Sequence, residues 1–160
     1  MDSLTIKRYP TPHFSARPAV TGINAIVIHD TGAHSLASTV NWLARPESKV
    51  SYHYVVDLDG SVAQFVDDEK KAWHAGKSIL HGRANVNDFS IGVALVDEND
   101  RIPYPEPQLQ AAATLTRALV NKYQIPLNRV VAHADVSPLR KVDPGPDFPW
   151  RIFLRRVAIG

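Results

Sequence analysis

Two short runs constrain this chain more than anything else in it. Ala25-Ile26-Val27-Ile28 is apolar on both faces, and Ser90–Val96 reads as a second apolar strand. A strand that borders water alternates apolar with polar residues, whereas one covered on both sides is an uninterrupted apolar run. Ala25–Ile28 is therefore an inner strand, and the sheet it belongs to must be covered by other layers.

The remaining segments supply those layers. Ser35 to Leu43 predicts a helix that starts at Ser35 or Ser38 and is stopped by Pro46. Tyr52–Val56 and Ser61–Phe65 flank Asp57-Leu58-Asp59-Gly60, the pattern of a β-hairpin around a tight turn. Leu109, Ala112, Leu115, Leu119 and Tyr123 recur at spacings of three and four, one face of a helix that Pro126 ends. Arg129–Ala132 is a short strand leading into His133, and Trp150–Val157 a closing helix. Residues 1–22, with Pro10, Pro12 and Pro18, read as an extended arm with a short strand at Thr5–Tyr9. Trp73–Asn87 reads as a polar loop, and the proline-bearing segment Asp97–Pro107 as another. Strands alternating with helices, plus one hairpin, predict an α/β fold over 1–160. It is a single domain with a mixed central β-sheet flanked by helices, and its arm spans 1–20.

The 160 residues suit one core, and 44% hydrophobic with 21% charged side chains is the balance of a globular chain rather than a disordered one. A formal net charge of +2 makes no electrostatic case for nucleic acid. With no cysteine, any metal must sit on nitrogen and oxygen ligands. No run is long enough to span a membrane. The first residues lack the basic head and apolar stretch of a signal peptide. The expected location is the cytoplasm, or outside the cell after lysis as for a phage lysin, or the envelope if a leader has been removed.

His29 and His133 each follow directly on an apolar strand. Strands that end on the same edge of a sheet bring such residues together, which is where open sheets place ligand sites. Asp143 lies on a loop stiffened by Pro144, Pro146 and Pro149, so it loses little entropy on binding an ion. Two imidazoles and one carboxylate make three protein ligands for zinc and leave a position for water, the arrangement of a hydrolase. Asp135 competes with Asp143 for the third place, and a histidine at a strand end is also commonly just a hydrogen-bonded polar residue.

The chain resembles the type-2 N-acetylmuramoyl-L-alanine amidases. The resemblance is carried by Ile28-His29-Asp30-Thr31, Ser51-Tyr52-His53-Tyr54, Trp73-His74-Ala75-Gly76, Gly82-Arg83, Asn87–Gly92, and His133-Ala134-Asp135 through Lys141–Pro146, in that order. These enzymes share a fold with peptidoglycan recognition proteins and amidase-type phage lysozymes. The resemblance implies zinc on His29, His133 and Asp143. It implies hydrolysis of the amide between N-acetylmuramic acid and L-alanine in peptidoglycan or muropeptides; a cleft enzyme of this size can act alone, so a monomer is expected. It gives Lys141 the task of stabilising the oxyanion of the tetrahedral intermediate. His74 is expected to hydrogen-bond the substrate or transition state, while Asn85 and Arg83 either bind the stem-peptide carboxylates or are simply solvent-exposed polar residues. His53 is expected to point into the sheet.

Two positions depart from the family pattern. Ala94 stands where many members carry a glutamate that serves as general base. That is the mark of an inactivated enzyme, of a binding module that does not cut, or of the phage-lysozyme branch, in which a tyrosine takes the role. Tyr52 stands at the matching place. Leu139 replaces a frequent glycine before Arg140-Lys141, which puts the conformation of that loop in question.

Overall fold

The computed structural model describes residues 4–98 and 103–159. Its strands are β1 (Ile6–Arg8), β2 (Phe14–Ala16), β3 (Ala25–Asp30), β4 (Tyr54–Val56), β5 (Val62–Gln64), β6 (Lys70–Ala72), β7 (Ile79–Leu80), β8 (Arg83–Ala84), β9 (Ser90–Leu95) and β10 (Val130–Ala132). Its helices are α1 (Leu36–Ala44), α2 (Glu106–Tyr123), the single turn α3 (His133–Val136) and α4 (Trp150–Ile159). Six strands form a mixed sheet in the order β1-β5-β4-β9-β3-β10. Only β4 and β5 are antiparallel neighbours in it; the other pairs are parallel. The two apolar runs, β9 and β3, lie side by side in the interior and are buried along their whole length.

Pleating sends successive side chains to opposite faces of the sheet. Ile26, Ile28, Ile91, Val93 and Leu95 pack with Ala112, Leu115 and Leu119 of α2 and with Phe153 and Val157 of α4. On the other face Ala94 packs with Leu43 of α1, Tyr52 and Val55, while Val27 packs with Phe89 and Val136. His29 shares the parity of Ala25 and Val27, so it projects away from the α2–α4 layer. Each such core aliphatic contributes roughly 1.5–3 kcal/mol by leaving water.

Local chemistry sets the helix ends. The Ser35 hydroxyl accepts from the Ser38 amide at 3.1 Å and caps α1. Pro107 sits in the first turn of α2, where an N–H would have no partner in the helix. Helix α2 ends on Gln124 in a left-handed conformation. The Gln108 amide donates to the carbonyls of Val56 and Val96 at 3.1 and 2.9 Å, tying the start of α2 to β4 and β9.

The structure differs from the sequence-based expectation in three places. Trp73–Asn87 is not wholly loop: β7 and β8 form a small hairpin through His81 and Gly82, both at positive φ, and a 3-10 turn follows at Val86–Asp88. Strands of two residues are too short for alternation to register. The loop assigned to Asp97–Pro107 gives way to α2 at Glu106, and its residues 99–102 lie outside the described ones. The N-terminal segment keeps its expected short strand, as β1 parallel to β5, but adds a second, β2, antiparallel to β6. Arg17 locks it down by donating to the carbonyls of Asp68, Asn87, Asp88 and Ser90. Among the described residues no helix is long and apolar enough to cross a membrane.

Candidate metal centre

Strand β10 runs parallel to β3 with Ala132 beside Ile28, so the residues that follow, His133 and His29, leave neighbouring strands at the same edge. Asp143 is drawn back to that edge by its own backbone: its carbonyl accepts from the Ala134 amide at 3.0 Å, and its Oδ2 accepts from the Asp30 amide at 3.3 Å. Asp135, the competing carboxylate, instead accepts from the Ala132 amide at 2.9 Å and closes the turn of α3.

Nδ1 of His29 and Nδ1 of His133 are 3.0 Å apart, and Asp143 Oδ2 lies 3.5 Å from the first and 3.3 Å from the second. Donors held about 2.0–2.1 Å from a tetrahedral zinc are about 3.3–3.4 Å from one another. The three observed edges bracket that length, so the donor set fits such an ion. Protonation agrees. His133 Nε2 faces the Ala75 carbonyl at 3.2 Å, an acceptor only, so Nε2 carries the proton and Nδ1 presents a lone pair. Burial pushes His29 down to about 4, against the pull of Asp143, so its ring is neutral near pH 7. The Asp143 carboxylate adds a negative charge to the donor set, which attracts a cation.

The centre opens into a cleft of about 420 Å³ lined by Asp30, Lys49, Tyr52, Trp73, Lys141 and Asp143 among others. Lys141 is exposed at its wall. Tyr52 is buried, with its ring centroid 5.1 Å from that of His29; burial raises its phenol pKa above the usual value, with Asp143 and Asp30 adding to the effect, so it stays protonated. Ala94, fully buried, stands opposite His29 in the β3–β9 register.

The other predicted contacts divide. His74 borders the cleft yet is only 3% exposed, with Nδ1 3.0 Å from His29 Nε2 and Nε2 3.1 Å from Ser90 Oγ. Burial, then the neighbouring imidazoles, keep it neutral. The Arg83 guanidinium lies 4.3 Å over the Phe89 ring, and neither Arg83 nor Asn85 lines the cleft; Asn85 borders an adjoining groove with Ile79 and Leu139. His53 points into the sheet, its Nδ1 accepting from the Gly92 amide at 3.0 Å and its Nε2–H donating to the Lys70 carbonyl at 2.9 Å. Sequence reasoning missed Lys49, Ser90 and Gly92. The signal for Gly92 was available, since a lone glycine within a strand marks a close approach by another group.

Residues 19–146 match the profile of the family described as N-acetylmuramoyl-L-alanine amidase. The 1,6-anhydro-N-acetylmuramyl-L-alanine amidase AmpD of Citrobacter freundii is 34% identical, over 95% of this chain and 90% of that protein. A crystal structure of a selenomethionine AmpD superposes with a TM-score of 0.81 at 33% identity, covering 95% of this chain and 93% of that one. The Escherichia coli amidase AmiD, solved in complex with the substrate anhydro-N-acetylmuramic acid-L-Ala-D-gamma-Glu-L-Lys, matches at TM-score 0.78 and 33% identity. That match covers 88% of this chain and 58% of AmiD.

Proposed function

Because the chain belongs to the N-acetylmuramoyl-L-alanine amidase family, we propose that it is a zinc amidase that hydrolyses the bond between N-acetylmuramic acid and L-alanine in peptidoglycan or its muropeptide fragments. The observation that carries this reading is the convergence of His29, His133 and Asp143, the last two lining an open cleft. These three residues would hold the zinc. When bound, zinc supplies Lewis acidity, which polarises an amide carbonyl and brings the pKa of a water to roughly 7.

The protein's own residues supply the rest. Lys141 places a fixed positive charge at the cleft wall, where negative charge develops on the carbonyl oxygen as the amide carbon becomes tetrahedral. Tyr52 stays protonated, so its hydroxyl serves as a hydrogen-bond donor beside the ligands and not as a tyrosinate base. The Asp30 amide holds Asp143 Oδ2 in place. Ala94 favours a second reading, a module that binds the wall fragment without cutting it, because alanine can neither take nor pass a proton.

The test is to incubate the protein with purified peptidoglycan and with muropeptides, and to follow peptides bearing a free L-alanine amino terminus by mass spectrometry. The amidase reading expects product with zinc, none after chelation, and recovery when zinc is returned. Zinc-loaded protein that binds the fragment without releasing such peptides would leave the binding module standing.

A further inference from the structure

His74 borders the cleft, and its surroundings give it a task toward the metal centre. Ser90 Oγ lies 2.7 Å from the Val86 carbonyl oxygen. Two oxygens at that distance need a proton between them, and a carbonyl has none to give, so the Ser90 hydroxyl donates to Val86. A serine has one proton, so Ser90 Oγ can only accept from His74 Nε2 at 3.1 Å. His74 Nε2 therefore carries the ring's hydrogen, and its Nδ1 presents a lone pair 3.0 Å from His29 Nε2. His29 must in turn carry its proton on Nε2, which leaves Nδ1 bare toward His133 and Asp143.

We propose that His74 is a positioning residue: the chain Val86 carbonyl, Ser90, His74, His29 fixes the tautomer and tilt of the His29 ring, so that Nδ1 faces the metal. This inference rests on the zinc reading above and deepens it. Burial closes the chain to water, with Ser90 at 0%, His74 at 3% and His29 at 1% exposure. The backbone is shaped for it as well. A methyl group at Gly92 would lie 2.5 Å from His74 Cγ, so the histidine ring fills the space that a side chain on β9 would take. The Gly92 amide is itself held by His53 Nδ1 at 3.0 Å. An outer hydrogen-bond partner of a metal-binding histidine orients the ring and raises its basicity, and losing one weakens metal affinity by about 10–100-fold.

The experiment measures zinc affinity of the full chain by competition with a chromophoric chelator, for the unaltered protein, His74→Leu, His74→Gln and Ser90→Ala. Folding of each metal-free variant is checked by circular dichroism, and KM is measured on a muropeptide. Expected are a zinc Kd raised about 10–100-fold in His74→Leu, a smaller rise in Ser90→Ala, and partial recovery in His74→Gln, whose amide can still accept from His29. The absorption bands of the cobalt-substituted protein shift in the same order, and KM stays level. Ser90→Ala removes one oxygen and keeps the question open to test if His74→Leu fails to fold. Unchanged zinc affinity with a raised KM would overturn the proposal and return His74 to the substrate. If the unaltered protein binds no zinc, the proposal and the metal reading both fall. If it binds zinc without cleaving, only the amidase reading falls, and the affinity series still decides the role of His74.

Discussion

His29 and Ala94 stand opposite each other on the parallel strands β3 and β9, and the Tyr52 ring packs beside both, 5.1 Å from the imidazole. On this flank of the cleft the polar group is a phenol, where the family resemblance leads one to expect a carboxylate at position 94. Tyr52→Phe is expected to lower kcat on a muropeptide by about 10²–10³-fold with little change in KM, the usual effect of removing one donor from a developing charge. Ala94→Glu in that background restores part of the loss. It also lowers stability by about 1–3 kcal/mol, because the added atoms enter a filled, apolar site. An undiminished kcat in Tyr52→Phe would take the phenol out of the reaction.

Zinc should stabilise the fold as well as enable chemistry, since the three donors meet only in the native state. At a free concentration 100 times its Kd, a ligand of the native state adds about 2.7 kcal/mol. Urea unfolding with and without zinc should show this gain in the unaltered protein and lose it in Asp143→Ala. An equal gain in both would place the metal elsewhere.

The buried His53 sets a pH dependence of stability. Burial holds its ring down to about 4, against the help of the Lys70 carbonyl, while an unfolded histidine titrates near 6.5. Between those values the unfolded chain binds a proton that the folded ring refuses, so stability rises with pH across that window and is fully present above it. The contribution is on the order of 3 kcal/mol. Unfolding of the metal-free protein between pH 4 and 8 measures it, and His53→Gln should flatten the curve. Parallel curves for the two proteins would refute this assignment.

Leu139 adopts φ of 71°, and its side chain is fully exposed. A left-handed leucine costs about 1–2 kcal/mol in backbone strain, and here it gains no packing in return. Leu139→Gly should therefore stabilise the protein, by roughly 0.5–1 kcal/mol once the greater freedom of glycine in the unfolded chain is subtracted. A lower melting temperature in this variant would mean that Leu139 makes contacts the strain argument omits.

Gly92→Ala should do more damage than its single methyl suggests. The added carbon meets His74 Cγ at 2.5 Å, well inside contact distance, so the ring or the strand must move. A stability loss of about 1–3 kcal/mol is expected, together with weaker zinc binding measured by chelator competition. Retention of both would show that β9 can yield without disturbing His74.

Much of this was legible before any coordinates. The strands β3 and β9, the hairpin of β4 and β5, and helices α1 and α2 are visible because periodicity and capping residues are local properties of the chain. The short strands β6, β7 and β8 were not: β7 and β8 have two residues each, too few to show alternation, and β6 lacks the tight Asp-Gly turn that marked the equally short β4 and β5. Leu139 illustrates a partial reading: the missing glycine marked the loop as unusual, and the positive φ supplies the reason.

The order of motifs along the chain determined by itself which residues could meet around a metal and what family the protein joins, since side-chain chemistry and spacing are written in one dimension. Only the tertiary structure decided the direction in which each side chain points. Both His74 and Arg83 read as substrate contacts from their motifs; the structure packs His74 against Gly92 at the border of the cleft and sets the Arg83 guanidinium over Phe89, outside it. The pleat of β9, the missing side chain at position 92 and the buried ring of Phe89 settle such choices, and each is a property of packing between segments far apart in sequence.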